Sequence, residues 1–243
     1  LSCRLSNDEL VALFEGRLPP EEAQQKLTRN PIANRTSALT VGIKEHMGHT
    51  LMPDEDVDRV YDITSRANLL FMSHTQDAEH TRWMEGLSKG RRLHLGHATA
   101  AGATAESMGG VLALCKKPHV SAEFVGTMLR AGGGNREGLR MDEAARQMAL
   151  EALEDGTVDI LVSDGQCDAT MKGFGDTRDN IPAILELARE GVLPLAGAVA
   201  AMTANPARLM ADITQNSFWR EKIGRLAPGA LGSVTVVHPQ AMR

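Results

Sequence analysis

Short apolar runs alternate with helical patterns over most of this chain, and this rhythm constrains the fold more than any other feature of the sequence. Each run is followed by a polar turn and then by a stretch whose apolar residues recur every three or four positions. The five runs occupy residues 37–44, 68–74, 92–97, 118–125 and 158–164. Parallel strands are buried on both faces and need a crossover helix between them, so the rhythm predicts a parallel α/β sheet of βαβ units. Periodicity leaves open whether that sheet closes into a barrel.

The composition argues against several classes of function. The 243 residues carry a net charge of −5 with no basic run, and their aromatic residues are only 5 Phe, 2 Trp and 1 Tyr, so we expect no nucleic-acid partner. No apolar run approaches the ~18 residues that a membrane helix needs, so we expect no membrane partner either. The three cysteines, Cys3, Cys115 and Cys167, have no ligand-like spacing and predict reduced thiols in a cytoplasmic protein.

Four of the five runs end in, or carry, a residue that could take part in a metal site. These residues are Lys44, His74, His97 and Asp164. In a parallel α/β barrel the carboxyl ends of the strands form the catalytic face, so residues there converge although they are distant in sequence. A single histidine at a strand end is more often simply capped or solvated. Four such positions on one face favour a shared site.

The chemistry of these four residues suits hydrolysis at a metal. Neutral imidazole nitrogen and carboxylate oxygen are ligands for Zn²⁺ and similar ions, which lower the pKa of bound water to about 7. A carboxylate such as that of Asp164 could accept the proton of that water and pass it to a leaving amine. An ammonium group at Lys44 would repel the ion. Lys44 therefore acts away from the metal or is carboxylated to an anionic carbamate.

The order of these pieces resembles the amidohydrolase superfamily of metal-dependent hydrolases, near its dihydroorotase, hydantoinase, N-acyl-D-amino-acid deacylase and enamidase branches. The matching segments are 42–44 (Gly-Ile-Lys), 71–74 (Phe-Met-Ser-His), 95–97 (Leu-Gly-His), 162–165 (Val-Ser-Asp-Gly), 201–207 after the barrel, and 224–233, which is similar to the "G-x-L-x-P-G-x-x-A-D" entry to the family's small β-sandwich. Ser233 stands where the family usually has Asp.

The resemblance implies a (β/α)8 TIM-type barrel and a role for each strand-end residue. Lys44 would be carboxylated and bridge two divalent metal ions, His74 and His97 would bind the second ion, and Asp164 would bind the first and act as the base. The implied reaction is hydrolysis of a non-peptide C–N bond, in an amide or cyclic amide of a small-molecule substrate, by metal-activated hydroxide. The implied cofactor is zinc, as one or two ions. We also expect a homo-oligomer.

The sequence departs from the family in one large respect. The family's first strand ends in His-x-His, and no two of the eight histidines here are separated by one residue. We therefore expect an incomplete barrel with about five strands, and a missing N-terminal part of the same protein. The expected divisions are a helical lead-in over 1–36, a partial barrel over 37–217 and the C-terminal part of a small β-sandwich over 218–243, with a strand at 232–238.

Other residues carry weaker predictions. His46, Arg130 and Arg136 lie in loops expected on the catalytic face and could contact substrate, the arginines through a carboxylate. Solvated loop residues are an equally good interpretation. Asp77 and Asp168 follow metal-site strands and could orient the ligand histidines. Strand alternation places His94 opposite His97, which predicts packing between barrel and helices.

Two other functions remain open at this point. One is a metal-free, catalytically incomplete barrel fragment with a structural or assembly role, which the missing His-x-His favours. The other is an ordinary α/β barrel with different chemistry, such as a phosphate-handling enzyme, which would bind an anion near the last strands. No Gly-x-Gly-x-x-Gly follows any run, so a dinucleotide-binding fold has no support.

Overall fold

The computed structural model describes residues 12, 17–19, 22, 42–45, 53–133, 141–165 and 175–237. Its centre is a sheet of five parallel strands. The strands are β1 (Gly42–Lys44), β2 (Leu70–His74), β3 (Leu93–Gly96), β4 (Val120–Val125) and β5 (Ile160–Val162). Their spatial order is their order in sequence, and each strand pairs with the next in parallel. A doubly wound sheet reverses its strand order near the middle, so this order is that of a barrel wall. The predicted incomplete barrel is confirmed.

Helices connect the strands and continue after the last one. They are α1 (Asp54–Arg66), α2 (Ala78–Ser88), α3 (Ala105–Cys115), α4 (Gly126–Leu129), α5 (Glu143–Glu154), α6 (Asn180–Arg189), α7 (Leu195–Ala201), α8 (Ala204–Thr214) and α9 (Phe218–Lys222). Asp77, Thr104 and Asp142 each cap a helix by accepting a backbone N–H of its first turn. Helices α1, α2, α3 and α5 pack side by side in that order. None of the helices in the described part of the chain is long and apolar enough to cross a membrane.

The two faces of the sheet differ in chemistry. One face packs on the helices: Phe71 of β2 meets Tyr61 of α1 edge-on, with ring centroids 4.5 Å apart. That core is mostly aliphatic, as the composition predicts. The pairing register places another row on the opposite face, formed by Lys44, Met72, His94 and Ser121. Three of these four side chains are polar, so the inner face of this barrel wall is largely polar.

Of the predicted strand at 232–238, the described residues 232–237 are not in a strand, and residue 238 lies outside the described residues. Residues 231–237 have no strand partner within the described part of the chain, and Val234 and Val236 are 59% and 90% exposed. An isolated strand leaves its backbone N–H and C=O groups without a ladder, so the apolar pattern alone does not make one. The sandwich portion over 218–243 thus stays a prediction. Most of the expected helical lead-in lies outside the described residues; Ala12 and Glu22 are helical.

Candidate active site

The strand-end residues named in the sequence analysis lie at one edge of the sheet. Lys44 and His74 are the last residues of β1 and β2. His97 directly follows β3, and Asp164 lies two residues after β5. Because all five strands are parallel, this edge is the carboxyl edge of the barrel wall. The sheet therefore brings the four residues to the same end of the fold.

His74 and His97 are in direct contact. Their nearest ring nitrogens, His74 Nδ1 and His97 Nε2, are 2.9 Å apart, and the rings meet edge to face with centroids 4.3 Å apart. Both residues are buried, His97 to 2% exposure. At this distance one nitrogen donates a hydrogen and the other accepts it. The two strand ends thus form a histidine pair.

His97 and Asp164 share an unusual backbone. Each has φ of 42°, in the left-handed region that residues other than glycine rarely adopt. Such a conformation costs about 1–3 kcal/mol and persists only where surrounding contacts hold it. At His97 it breaks the alternation of β3 and turns the chain into a short 3₁₀ turn, Ala98–Ala103. Strained positions of this kind concentrate at functional sites.

Charges from two of the other strand-end residues, Lys44 and Asp164, act on His97. Burial lowers the pKa of His97, and the positive charge of Lys44 lowers it further. The negative charges of Asp164 and Glu123 act in the opposite direction. An imidazole with a lowered pKa is neutral at pH 7, which is the form that binds metal ions.

Residues 163–165 lie beside Gly175. Gly165 and Gly175 form a parallel bridge, and a Cβ atom on Gly175 would collide with the Ser163 carbonyl oxygen. Only glycine permits this approach. On the far side of the bridge, the Asp176 N–H donates to Thr127 Oγ1 at 2.9 Å. These contacts connect the backbone next to Asp164 to α4.

Glu45 is a site residue that the sequence analysis missed. It follows Lys44 and is only 8% exposed. Its Oε1 atom accepts the Ser73 hydroxyl at 2.6 Å and the His74 backbone N–H at 2.9 Å. Glu45 thus holds the last two residues of β2 in place from the end of the neighbouring strand β1. The sequence carries no signal for this role, because the burial of Glu45 depends on partners in the next strand.

The expectation for His94 is wrong. Its ring lies on the inner face, where Nδ1 is 2.8 Å from Ser121 Oγ and Nε2 is 3.2 Å from Glu123 Oε2. The alternation argument placed His94 opposite His97 by assuming that His97 continues the strand. The left-handed backbone of His97 ends the strand one residue earlier, so the parity does not apply.

The weaker candidates lie elsewhere or have other contacts. Arg130 donates to Glu186 Oε2 at 3.0 Å and forms an ion pair with the buried Asp179. These two acidic partners already neutralise the charge of Arg130, which disfavours a role in binding a substrate carboxylate. Asp77 is exposed and caps α2 through the His80 N–H at 2.8 Å. The substrate role of Arg130 and the orienting role of Asp77 stay predictions. His46, Arg136 and Asp168 lie outside the described residues.

The donor set suits a divalent ion in chemical type. Two imidazoles and a nearby carboxylate are ligands that Zn²⁺ prefers. The 2.9 Å between His74 Nδ1 and His97 Nε2 is shorter than the about 3.3 Å separating two ligands of a tetrahedral zinc, so the pair must open slightly to hold one. Within the described ranges, no group of three or more His, Cys, Asp or Glu side chains is close enough to hold a metal. A further ligand must approach, or come from elsewhere.

Comparison with known proteins supports the fold. No protein-family model matches the chain, and no curated protein matches it. Solved structures do. Dihydropyrimidinase from Brevibacillus agri NCHU1002 superimposes with a TM-score of 0.61 at 14% identity, covering 96% of this chain and 64% of that one. Two D-hydantoinase structures superimpose with TM-scores of 0.56 and 0.57 at 14% and 15% identity, covering 85% and 86% of this chain and 61% and 54% of theirs. This chain therefore has the fold of the hydantoinase and dihydropyrimidinase structures over most of its length, and it spans less than two thirds of theirs.

Proposed function

We propose that this chain belongs to the amidohydrolase superfamily and hydrolyses a non-peptide C–N bond with a divalent metal ion as cofactor. One observation carries the proposal: a buried pair of histidines, subject to the charges of Asp164 and Lys44, lies at the carboxyl edge of a hydantoinase-like barrel wall. Parallel barrels place catalysis at this edge. The structural neighbours are named for cyclic amide hydrolysis, which supports a cyclic amide as the substrate class.

The roles of the residues follow from their chemistry. His74 and His97 would hold the ion through ring nitrogens, and Asp164 would hold it through a carboxylate oxygen. When bound, the ion polarises a carbonyl group and lowers the pKa of water to about 7. Asp164 would accept the proton of that water and deliver it to the leaving nitrogen. The position of Asp164 at the carboxyl edge, two residues after β5, supports this role.

Lys44 has two possible contributions in this scheme. Its exposed amine can react with carbon dioxide, forming an N–C bond and releasing a proton to solvent, and the resulting carbamate supplies two anionic oxygens. As an ammonium it adds a positive charge beside His97, which disfavours a cation there. We propose the carbamate for the loaded site. Carboxylation would therefore remove a repulsive charge and add a ligand in one step.

We further propose that the active protein is a cytoplasmic homo-oligomer and that an N-terminal part of the same protein completes its site. The coverage of the structural neighbours supports only the proposal of a further part of the protein, since the chain accounts for 54–64% of their length. The described residues alone bring together fewer than three close ligand side chains.

The test is metal content and hydrolysis in the full chain. We expect bound zinc, and hydrolysis of dihydrouracil or a 5-substituted hydantoin that a chelator abolishes. Asp164→Asn should reduce the rate by at least 100-fold, consistent with loss of a general base. Asp212→Asn, in an exposed ion pair on α8, is the control and should keep full activity. Full activity in Asp164→Asn would refute its assigned role.

The second candidate is a metal-free barrel wall with an assembly role. The absence of a three-ligand cluster from the described ranges favours it. It predicts no stoichiometric metal and no hydrolysis, together with retained folding and self-association. That combination of results would replace the enzymatic proposal.

A further inference from the structure

A second polar cluster lies on the inner face, one layer below the histidine pair. It consists of Ser121, His94 and Glu123, and it reaches His97 through the backbone. Ser121 Oγ is 2.8 Å from His94 Nδ1, and His94 Nε2 is 3.2 Å from Glu123 Oε2. The His97 N–H donates to Glu123 Oε1 at 3.4 Å, a long hydrogen bond. The cluster therefore forms a continuous chain of contacts from β4 to His97.

The Glu123 carboxylate determines the direction of each hydrogen bond in the cluster. An ionised carboxylate only accepts, so His94 Nε2 must carry the hydrogen that it shares with Glu123. In the neutral ring, Nδ1 is then an acceptor and receives the Ser121 hydroxyl. Glu123 is thus satisfied at both oxygens, by the His94 ring on one and by the His97 backbone on the other.

Glu123 is largely buried, yet its partners favour the ionised form of the carboxyl group. Its side chain is 14% exposed, and burial raises the pKa of a carboxyl group. The hydrogen bonds from His94 and from the His97 backbone, together with the positive charge of Lys44, outweigh that effect and leave the pKa of Glu123 below its usual range. A buried charge is retained only where such partners are in place.

This cluster holds the left-handed backbone of His97 in place. With φ at 42°, the His97 N–H points to Glu123 while the ring meets His74. On the other side, the Ala100 N–H donates to the His97 carbonyl at 2.8 Å and closes the 3₁₀ turn. Glu123 is a charged acceptor for the His97 backbone N–H. Losing it would release the conformation that presents the ring.

We propose that Glu123, oriented by His94 and Ser121, is a positioning residue that fixes His97 for metal binding. The inference rests on the proposed function for the metal, and it extends to three residues that lie outside the ligand set. It predicts a hierarchy among them: Glu123 acts directly on His97, His94 fixes the carboxylate, and Ser121 holds the His94 ring through Nδ1.

The experiment compares Glu123→Gln with a matched variant, Glu85→Gln. Glu85 also accepts from a histidine, with its Oε1 atom 3.0 Å from His119 Nε2, and its side chain is 13% exposed. His119 precedes β4, at the opposite end of the sheet from the site. Glutamine at 123 removes the negative charge and has one acceptor oxygen for two donors, so His94 must either change tautomer or lose its contact with residue 123. Co²⁺ affinity of the full chain, read from its absorption spectrum, should fall 10- to 100-fold in Glu123→Gln and stay within twofold in Glu85→Gln.

A second readout does not depend on the metal. In ¹⁵N-histidine-labelled, metal-free chain, the ring resonances of His97 should shift in Glu123→Gln and in Ser121→Ala and stay unchanged in Glu85→Gln. Ser121→Ala keeps the charge and should lower Co²⁺ affinity only a few-fold. Wild-type affinity in Glu123→Gln, or an unmoved His97 resonance in both cluster variants, would overturn the proposal. Failure of the wild-type chain to bind Co²⁺ would instead count against the proposed function, and the resonances would still decide the positioning role.

Discussion

The contact of Glu45 with Ser73 and His74 predicts a measurable coupling across β1 and β2. Ser73→Ala removes one charge-assisted hydrogen bond, the 2.6 Å bond to Glu45 Oε1, and should lower the free energy of unfolding by about 1.5–3 kcal/mol. Glu45→Ala removes the acceptor for that hydroxyl and for the His74 N–H, so it should lower the free energy by about 3–6 kcal/mol. Because the bond between Glu45 and Ser73 is lost in both variants, their effects are not additive.

The assay is urea unfolding of the two single variants and the double variant. The double variant should be no less stable than Glu45→Ala, which gives a coupling energy of about 1.5–3 kcal/mol. As a control, Ser73→Ala is combined with Glu154→Ala, an exposed residue of α5, and these should add to within about 0.5 kcal/mol. Additive effects of Glu45→Ala and Ser73→Ala would refute the contact as described, since two changes that share no interaction have no reason to couple.

Three further predictions test other parts of the structure. Gly175→Ala should destabilise the chain by about 1–3 kcal/mol, because its new Cβ meets a carbonyl oxygen, while Gly232→Ala, with open space around it, should stay within about 0.5 kcal/mol in the same unfolding assay. Burial tends to raise the pKa of Glu85, but its lysine and histidine partners lower it overall. The loss of unfolding free energy in Glu85→Gln should therefore be largest at pH 7 and vanish as pH falls through the folded-state pKa. Thermal unfolding measured across this pH range would show it. Burial raises the pKa of Cys115 to about 12, so iodoacetamide at pH 8.5 should modify its peptide only after unfolding, and prompt labelling of the folded chain would contradict its burial.

The fold was predictable because each apolar run matches a strand of the sheet. Runs such as 68–74 are apolar along most of their length, as is typical of strands buried between layers, and β2 lies within that run. The residues at the strand ends followed from topology, because parallel strands present their carboxyl ends at one edge. His74 and His97 are therefore in contact although 23 positions separate them.

The failures have local physical causes. His94 was placed on the wrong face because a single left-handed residue, His97, ends the alternation that the argument assumed. Glu45 was missed because burial of an acid depends on a partner from the next strand, Ser73, which no spacing rule connects to it. The segment 231–237 has the composition of a strand, but its ladder must come from a second segment. For Glu45 and for the segment 231–237, what the sequence analysis lacked was a contact between two separate elements of the structure.

The sequential strand order has a consequence for how this site is assembled during folding. Each strand pairing closes a loop of roughly 20–40 residues, a topology of largely local contacts that favours growth by addition of neighbouring units. The longest of these closures is between β4 and β5, since α4 and α5 both lie between them. Loop-closure entropy therefore favours formation of the histidine pair before β5 docks. On this view Asp164 is the last of the four strand-end residues to arrive, and amides near it should show the weakest protection against hydrogen exchange.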